Sequence, residues 1–137
     1  AAGKGLVDFR FRHRVTALKA VRVIDPDPAY IGGIAELKWV AEHAYMHSIL
    51  MAPHGTANGL LGLGALINVC ATLPANYVAF EYPSASDPWW NDIVIGLPKQ
   101  VVKDSMIDLL EAPGLGLDID AQGAKKYLLE EDAGFFD

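Results

Sequence analysis

VRVIDPDPAYIGG (Val21–Gly33) runs into IAELKWVAEHAYMH (Ile34–His47) and then SILMAPHG (Ser48–Gly55). A short β-branched run ends at Asp27, a helical stretch follows, and a second apolar run ends at His54. Short apolar runs that alternate with helical patterns predict βαβ units, hence an α/β fold with a parallel sheet. Right-handed crossovers put the C-terminal ends of neighbouring parallel strands on one side of the sheet, the side where α/β proteins bind ligands. Asp27 and His54 are therefore expected to emerge together.

Two prolines, Pro26 and Pro28, end the first strand, because each removes a backbone donor from the ladder. Gly32 and Gly33 open a crossover helix whose inward face reads as Ile34, Leu37, the aliphatic stem of Lys38, Ala41, Ala44 and Tyr45. Asn58–Leu73 is a mostly apolar helix in which Gly59, Gly62 and Gly64 permit close packing on a sheet. Tyr77–Tyr82 (YVAFEY) is a third strand with Glu81 near its end. Upstream, Phe9–Ala20 has helical spacing, and Ala1–Gly5 opens on small residues and Lys4, as expected of the cut end of a longer chain. Downstream, Trp89 and Trp90 are expected to be packing residues. Val101–Leu110 mixes short apolar pieces with charge, Ala112–Asp118 is turn-rich, and Ala121–Glu131 reads as a short helix.

The 137 residues fit one domain, and 52% hydrophobic with 20% charged residues excludes disorder. A net charge of −6, with only Arg10, Arg12 and Arg14 as a basic patch, argues against a nucleic-acid partner. No stretch has the length and apolarity of a membrane span; Thr56–Pro74 comes nearest and suits a buried helix better. No signal peptide is evident, and the single cysteine, Cys70, is expected to be a small core residue, so the cytoplasm is the expected location.

Three titratable groups, Asp27, His54 and Glu81, end three successive predicted strands. Imidazole titrates in the range that general acid–base work needs, and a carboxylate behind it orients the ring. Asp27 also suits an Asx turn or helix N-cap before Gly32. Glu81 is either a buried, protonated donor to an oxyanion or an exposed rim carboxylate. His43 and His47 have the i, i+4 spacing of a metal pair, but the helical pattern puts them on the solvent side. The GLLGLG run at Gly59–Gly64 lacks phosphate-loop spacing and reads as packing.

Taken together, Pro26-Asp27-Pro28 with Gly32-Gly33, Pro53-His54-Gly55 and Ala79-Phe80-Glu81-Tyr82-Pro83 resemble the mandelate racemase group of the enolase superfamily, especially its acid-sugar dehydratases. The 27-residue separation of Asp27 and His54 suits that family's Asp–His dyad. The resemblance implies the C-terminal part of a (β/α)₇β TIM-like barrel, about strands five to eight over residues 1–100. Residues 101–137 would then return towards a capping domain that this chain does not contain. It also implies an Mg²⁺ ion and a small hydroxy- or sugar-acid substrate whose carboxylate binds that metal. His54, backed by Asp27, would be the general base or acid, and Glu81 would stabilise the enolate. Lys4 falls where the family usually has a glutamate metal ligand, and the other ligands lie on earlier strands. The expected reaction is dehydration, with racemisation or cycloisomerisation as alternatives. The 137 residues alone are expected to be inactive and to need the missing half, a partner or self-association as a homo-oligomer. A non-catalytic binding or oligomerising remnant is the competing class.

Overall fold

The computed structural model describes residues 21–55, 59–82, 89 and 92–137. Lys4, the Arg10–Arg14 patch, the expected helix over Phe9–Ala20 and Trp90 lie outside the described residues.

Strands β1 (Val23–Ile24) and β2 (Leu50–Met51) pair in parallel, with Val23 opposite Leu50 and Ile24 opposite Met51. Both are short because proline interrupts the donors: Pro26 and Pro53 follow two residues after Ile24 and Met51 and have no N–H to give. Pairing nevertheless continues through the remaining donors. Ala52 N–H reaches Ile24 O at 2.9 Å and His54 N–H reaches Pro26 O at 3.1 Å.

The expected third strand, Tyr77–Tyr82, is not regular. A single parallel bridge joins Met51 and Tyr77, with Val78 N–H on Met51 O at 2.9 Å and Glu81 N–H on Pro53 O at 3.1 Å. Those two donors are three residues apart where a regular ladder uses every second residue, so the chain bulges on its way to Glu81.

Between β1 and β2 the chain forms α1 (Pro28–Ile31) and α2 (Ile34–Met46). Gly32 and Gly33, with φ of 107° and 109°, make the turn between them, a region that glycine enters without strain. The buried stripe of α2 is Leu37, Val40, Ala41 and Ala44. This corrects the expected face: Ile34 and Tyr45 are 41% and 54% exposed, and Val40 is buried instead. A stripe centred between Leu37 and Ala44 leaves both residues on its flank, a rotation that spacing alone does not settle.

α3 (Gly59–Cys70) is apolar apart from Asn68, because it is buried on two sides. Leu66, Val69 and Cys70 join Ile24, Met51 and the α2 stripe in one core. Leu60, Leu63 and Ile67 pack with Val94, and with the partly buried Trp89, Ile93, Val101, Ile107 and Leu110, in a second. Trp89 is thus a packing residue, as expected.

The rest of the chain covers α3. β3 (Val94–Ile95) pairs antiparallel with β6 (Asp118–Ile119), and β4 (Val102–Lys103) with β5 (Met106–Ile107) in a hairpin. The helix expected over Ala121–Glu131 is broken into α4 (Ala121–Ala124) and two 3₁₀ turns, Lys125–Tyr127 and Glu130–Asp132. Tertiary contacts override a segment too short to hold its own helix. Gly123 lies so close to the Asp92 carbonyl that no side chain fits, and Tyr127 OH donates to Asp92 Oδ2 at 2.7 Å. The described strands form two-stranded sheets, and no closed barrel appears among the described residues. Nor, among those residues, is any helix long and apolar enough to cross a membrane.

Candidate active site

Asp27 is held by the start of α1. Its Oδ1 accepts the Ala29 N–H at 2.9 Å, capping a helix whose first residue is Pro28. Its second oxygen remains for another partner. His54 Nδ1 lies 3.2 Å from Asp27 Oδ2, in hydrogen-bonding range with the ring N–H as donor. Both side chains are almost fully buried, at 6% and 2% exposure. The N-cap and dyad readings of Asp27 are both realised, one oxygen each.

His54 is fixed from three sides. Its backbone N–H is tied to Pro26 O, its ring to Asp27, and the following residue, Gly55, lies against Leu66 of α3 so closely that a β-carbon there would overlap Leu66 Cδ1. Glycine is the residue that lets the strand end approach the helix.

Glu81 arrives on the neighbouring segment with Oε2 3.3 Å from His54 Nε2. Its side chain is 61% exposed, so of the two alternatives it is the rim carboxylate. The three groups read from the sequence therefore meet at one place. The contributions that sequence reasoning missed are main-chain ones: the Ala29 N–H, Pro26 O and Pro53 O. A proline immediately before Asp27 and another before His54 are their visible trace.

His43 and His47 are partly buried, correcting the expected solvent-side placement, and their rings lie 4.7 Å apart at the centroids. Among the described residues no group of three or more His, Cys, Asp or Glu side chains could hold a metal ion. The metal ligands that the resemblance implies lie outside these residues, and the chemistry below rests on protein groups.

A strand-end Asp–His pair with a glutamate on the next segment makes a candidate acid–base site on an α/β scaffold, and comparison places the chain in a family. The pattern of the enolase C-terminal domain-like family matches residues 1–123, and the chain belongs to that family, in the mandelate racemase and muconate lactonizing enzyme group. A curated relative, the D-xylonate dehydratase of Haloferax volcanii, is 32% identical over 117 residues, covering 85% of this chain and 27% of the relative. Among solved structures, a mandelate racemase/muconate lactonizing enzyme-like protein from Rubrobacter xylanophilus is 36% identical with a TM-score of 0.75, covering 88% of this chain and 30% of that one. A mandelate racemase/muconate lactonizing enzyme from Jannaschia sp. CCS1, 24% identical with a TM-score of 0.80, shares the fold over 93% of this chain and 32% of its own. The chain spans less than a third of the length of each of these proteins.

Proposed function

We propose that the chain is the C-terminal part of a (β/α)₇β-barrel enzyme that removes the proton α to the carboxylate of a hydroxy or sugar acid and expels the β-hydroxyl as water. The observation that carries this reading is the buried Asp27–His54 pair with Glu81 on the open ring nitrogen. The 32% identity to a D-xylonate dehydratase supports dehydration over racemisation or cycloisomerisation.

Asp27 holds the imidazole so that Nε2 faces the opening, and His54 is the general acid, while the α-proton passes to a base across the site that would lie outside the described residues. When the enolate electron pair closes to a C=C bond, the C–O bond to the β-hydroxyl breaks and its oxygen takes the Nε2 proton, leaving as water. The enol formed is that of a 2-oxo-3-deoxy acid. Glu81, when it carries a proton, donates a hydrogen bond to the enolate oxygen. The family resemblance brings an Mg²⁺ requirement to the complete enzyme, with ligands that would lie outside the described residues. Residues 1–100 form the barrel portion and 101–137 the return towards a capping domain.

The test is turnover of D-xylonate by the intact protein that carries this chain, followed as 2-oxo acid. His54→Asn should lower kcat by about 10²–10⁴-fold, the usual contribution of a positioned acid or base. Unchanged turnover in His54→Asn sinks the assignment. Exchange of the α-proton without oxo acid identifies a racemase, and no reaction with any acid identifies a binding module.

A further inference from the structure

His54 lies between two carboxylates that differ sharply in exposure. Asp27, on Nδ1, has a side chain 2% exposed, whereas Glu81, on Nε2, has one that is 61% exposed. With the Nδ1 proton donated to Asp27, the Nε2 of a neutral ring carries a lone pair, and a lone pair facing a carboxylate oxygen at 3.3 Å is repulsive. The contact is attractive only with a proton between the two atoms. Among the described residues of the neighbouring helices, α3 carries no Asp, Glu, Lys, Arg or His, α1 offers only Tyr30, and α2 carries Glu36, Lys38, Glu42 and His43. Asp25 stands two residues before Asp27, at the end of the same strand.

Nε2 is also the only ring atom left for a reacting group, because Nδ1 is engaged. We propose that Glu81 caps His54 Nε2 in the substrate-free protein, keeping a proton at that nitrogen, and that an incoming hydroxy acid displaces it. Glu81 thus has two successive partners, first the imidazole and then the substrate. Exposure makes the exchange inexpensive, since an ion pair with one partner in solvent is weak. The cap keeps the acid loaded and gives way when an acid substrate arrives. This inference rests on His54 being the reacting acid.

The test uses the intact protein with ¹⁵N-labelled histidine at one fixed pH, the His54 ring signals being identified by their loss in His54→Asn. Glycolate serves as the probe hydroxy acid. Glu81→Gln should move the Nε2 signal towards that of an unprotonated nitrogen while Nδ1 stays in place, and Glu81→Asp, one methylene shorter, should do the same. Glycolate should move wild-type Nε2 and have a smaller effect in Glu81→Gln. An Nε2 signal unchanged in both variants overturns the cap, and a wild-type signal that glycolate does not move overturns the displacement. Asp27→Asn checks the underlying dyad separately: it should move Nδ1, and failure there sinks the dyad whatever Glu81 does.

Discussion

Asp27 shows how much one carboxylate can settle. Its Oδ1 caps α1 and its Oδ2 orients His54, so two hydrogen bonds depend on this one carboxylate. Asp27→Asn keeps the size and can keep the cap through its amide oxygen, but it then turns an amide N–H towards the ring N–H where the carboxylate had offered an acceptor. In the intact enzyme it should therefore reduce kcat by about 10²-fold or more, with thermal stability lowered by about 1 kcal/mol through weaker hydrogen bonding. A kcat that follows only the loss of stability would show that Asp27 is a cap and nothing else.

Cys70 behaves at this scale as the core residue its neighbours suggest. Burial pushes its thiol up to about 12, against a smaller opposing effect of its hydrogen bond with Tyr77. Burial likewise raises Tyr77 to about 12. Folded protein at pH 8 should therefore react with a thiol reagent only as fast as it unfolds. The sign for stability follows: both groups are neutral when folded, so their contribution is complete below pH 9, the ordinary range of the thiol, and is lost as pH rises towards about 12. Cys70→Ala should flatten that alkaline decline in a series of urea melts. An equally steep decline would place its origin elsewhere.

At the scale of elements, the site depends on strand ends packed tightly on α3. Gly55→Ala places a methyl group where Leu66 Cδ1 stands. The strand end must shift or Leu66 must leave its rotamer, at about 1–3 kcal/mol. Because Gly55 adjoins His54, activity should fall further than stability does, which paired melting and kcat measurements would show. Asn76 ties the opposite end of the same layer: its Nδ2 donates to Ile49 O at 2.8 Å and Ala41 O at 3.2 Å. Asn76→Ala leaves two buried carbonyls without that donor and should lower stability by about 1–3 kcal/mol while sparing KM, since it lies away from the ring nitrogens. A changed KM with an unchanged melting midpoint would contradict this.

For the whole molecule, the layer formed by β1, β2 and the Tyr77 segment is covered by α2 and α3 on one side. Leu50 at 43% and Val78 at 60% exposure stand on the other. Unpaired edges and uncovered apolar side chains promote association. The 137-residue chain alone should self-associate in sedimentation, with apparent mass rising with concentration, and should show no dehydratase turnover. A compact, inert monomer would contradict the proposal that this face is covered by the rest of a barrel.

Much of this organisation was legible in the chain. The alternation of apolar runs and helical spacing named the parallel pair β1 and β2, and the prolines told where the regular strands would end, although Ala52 and His54 carry the pairing further. Asp27, His54 and Glu81 stood out because each follows an apolar run, which is a local property. What sequence could not decide was set by contacts between distant segments. The rotation of α2 depends on what packs against it, so Val40 replaced Ile34 and Tyr45. The bulge before Glu81 depends on Pro53 across the ladder, and the broken helix after Ala121 depends on Asp92. The sequence by itself determined which residues meet at the candidate site and the order of the elements, because hydrophobic period and proline act within a few residues. Only the tertiary structure decided that Asp27 divides its oxygens between a helix and a ring, and that Glu81 reaches the other ring nitrogen, because a separation near 3 Å is the sum of every packing decision between them.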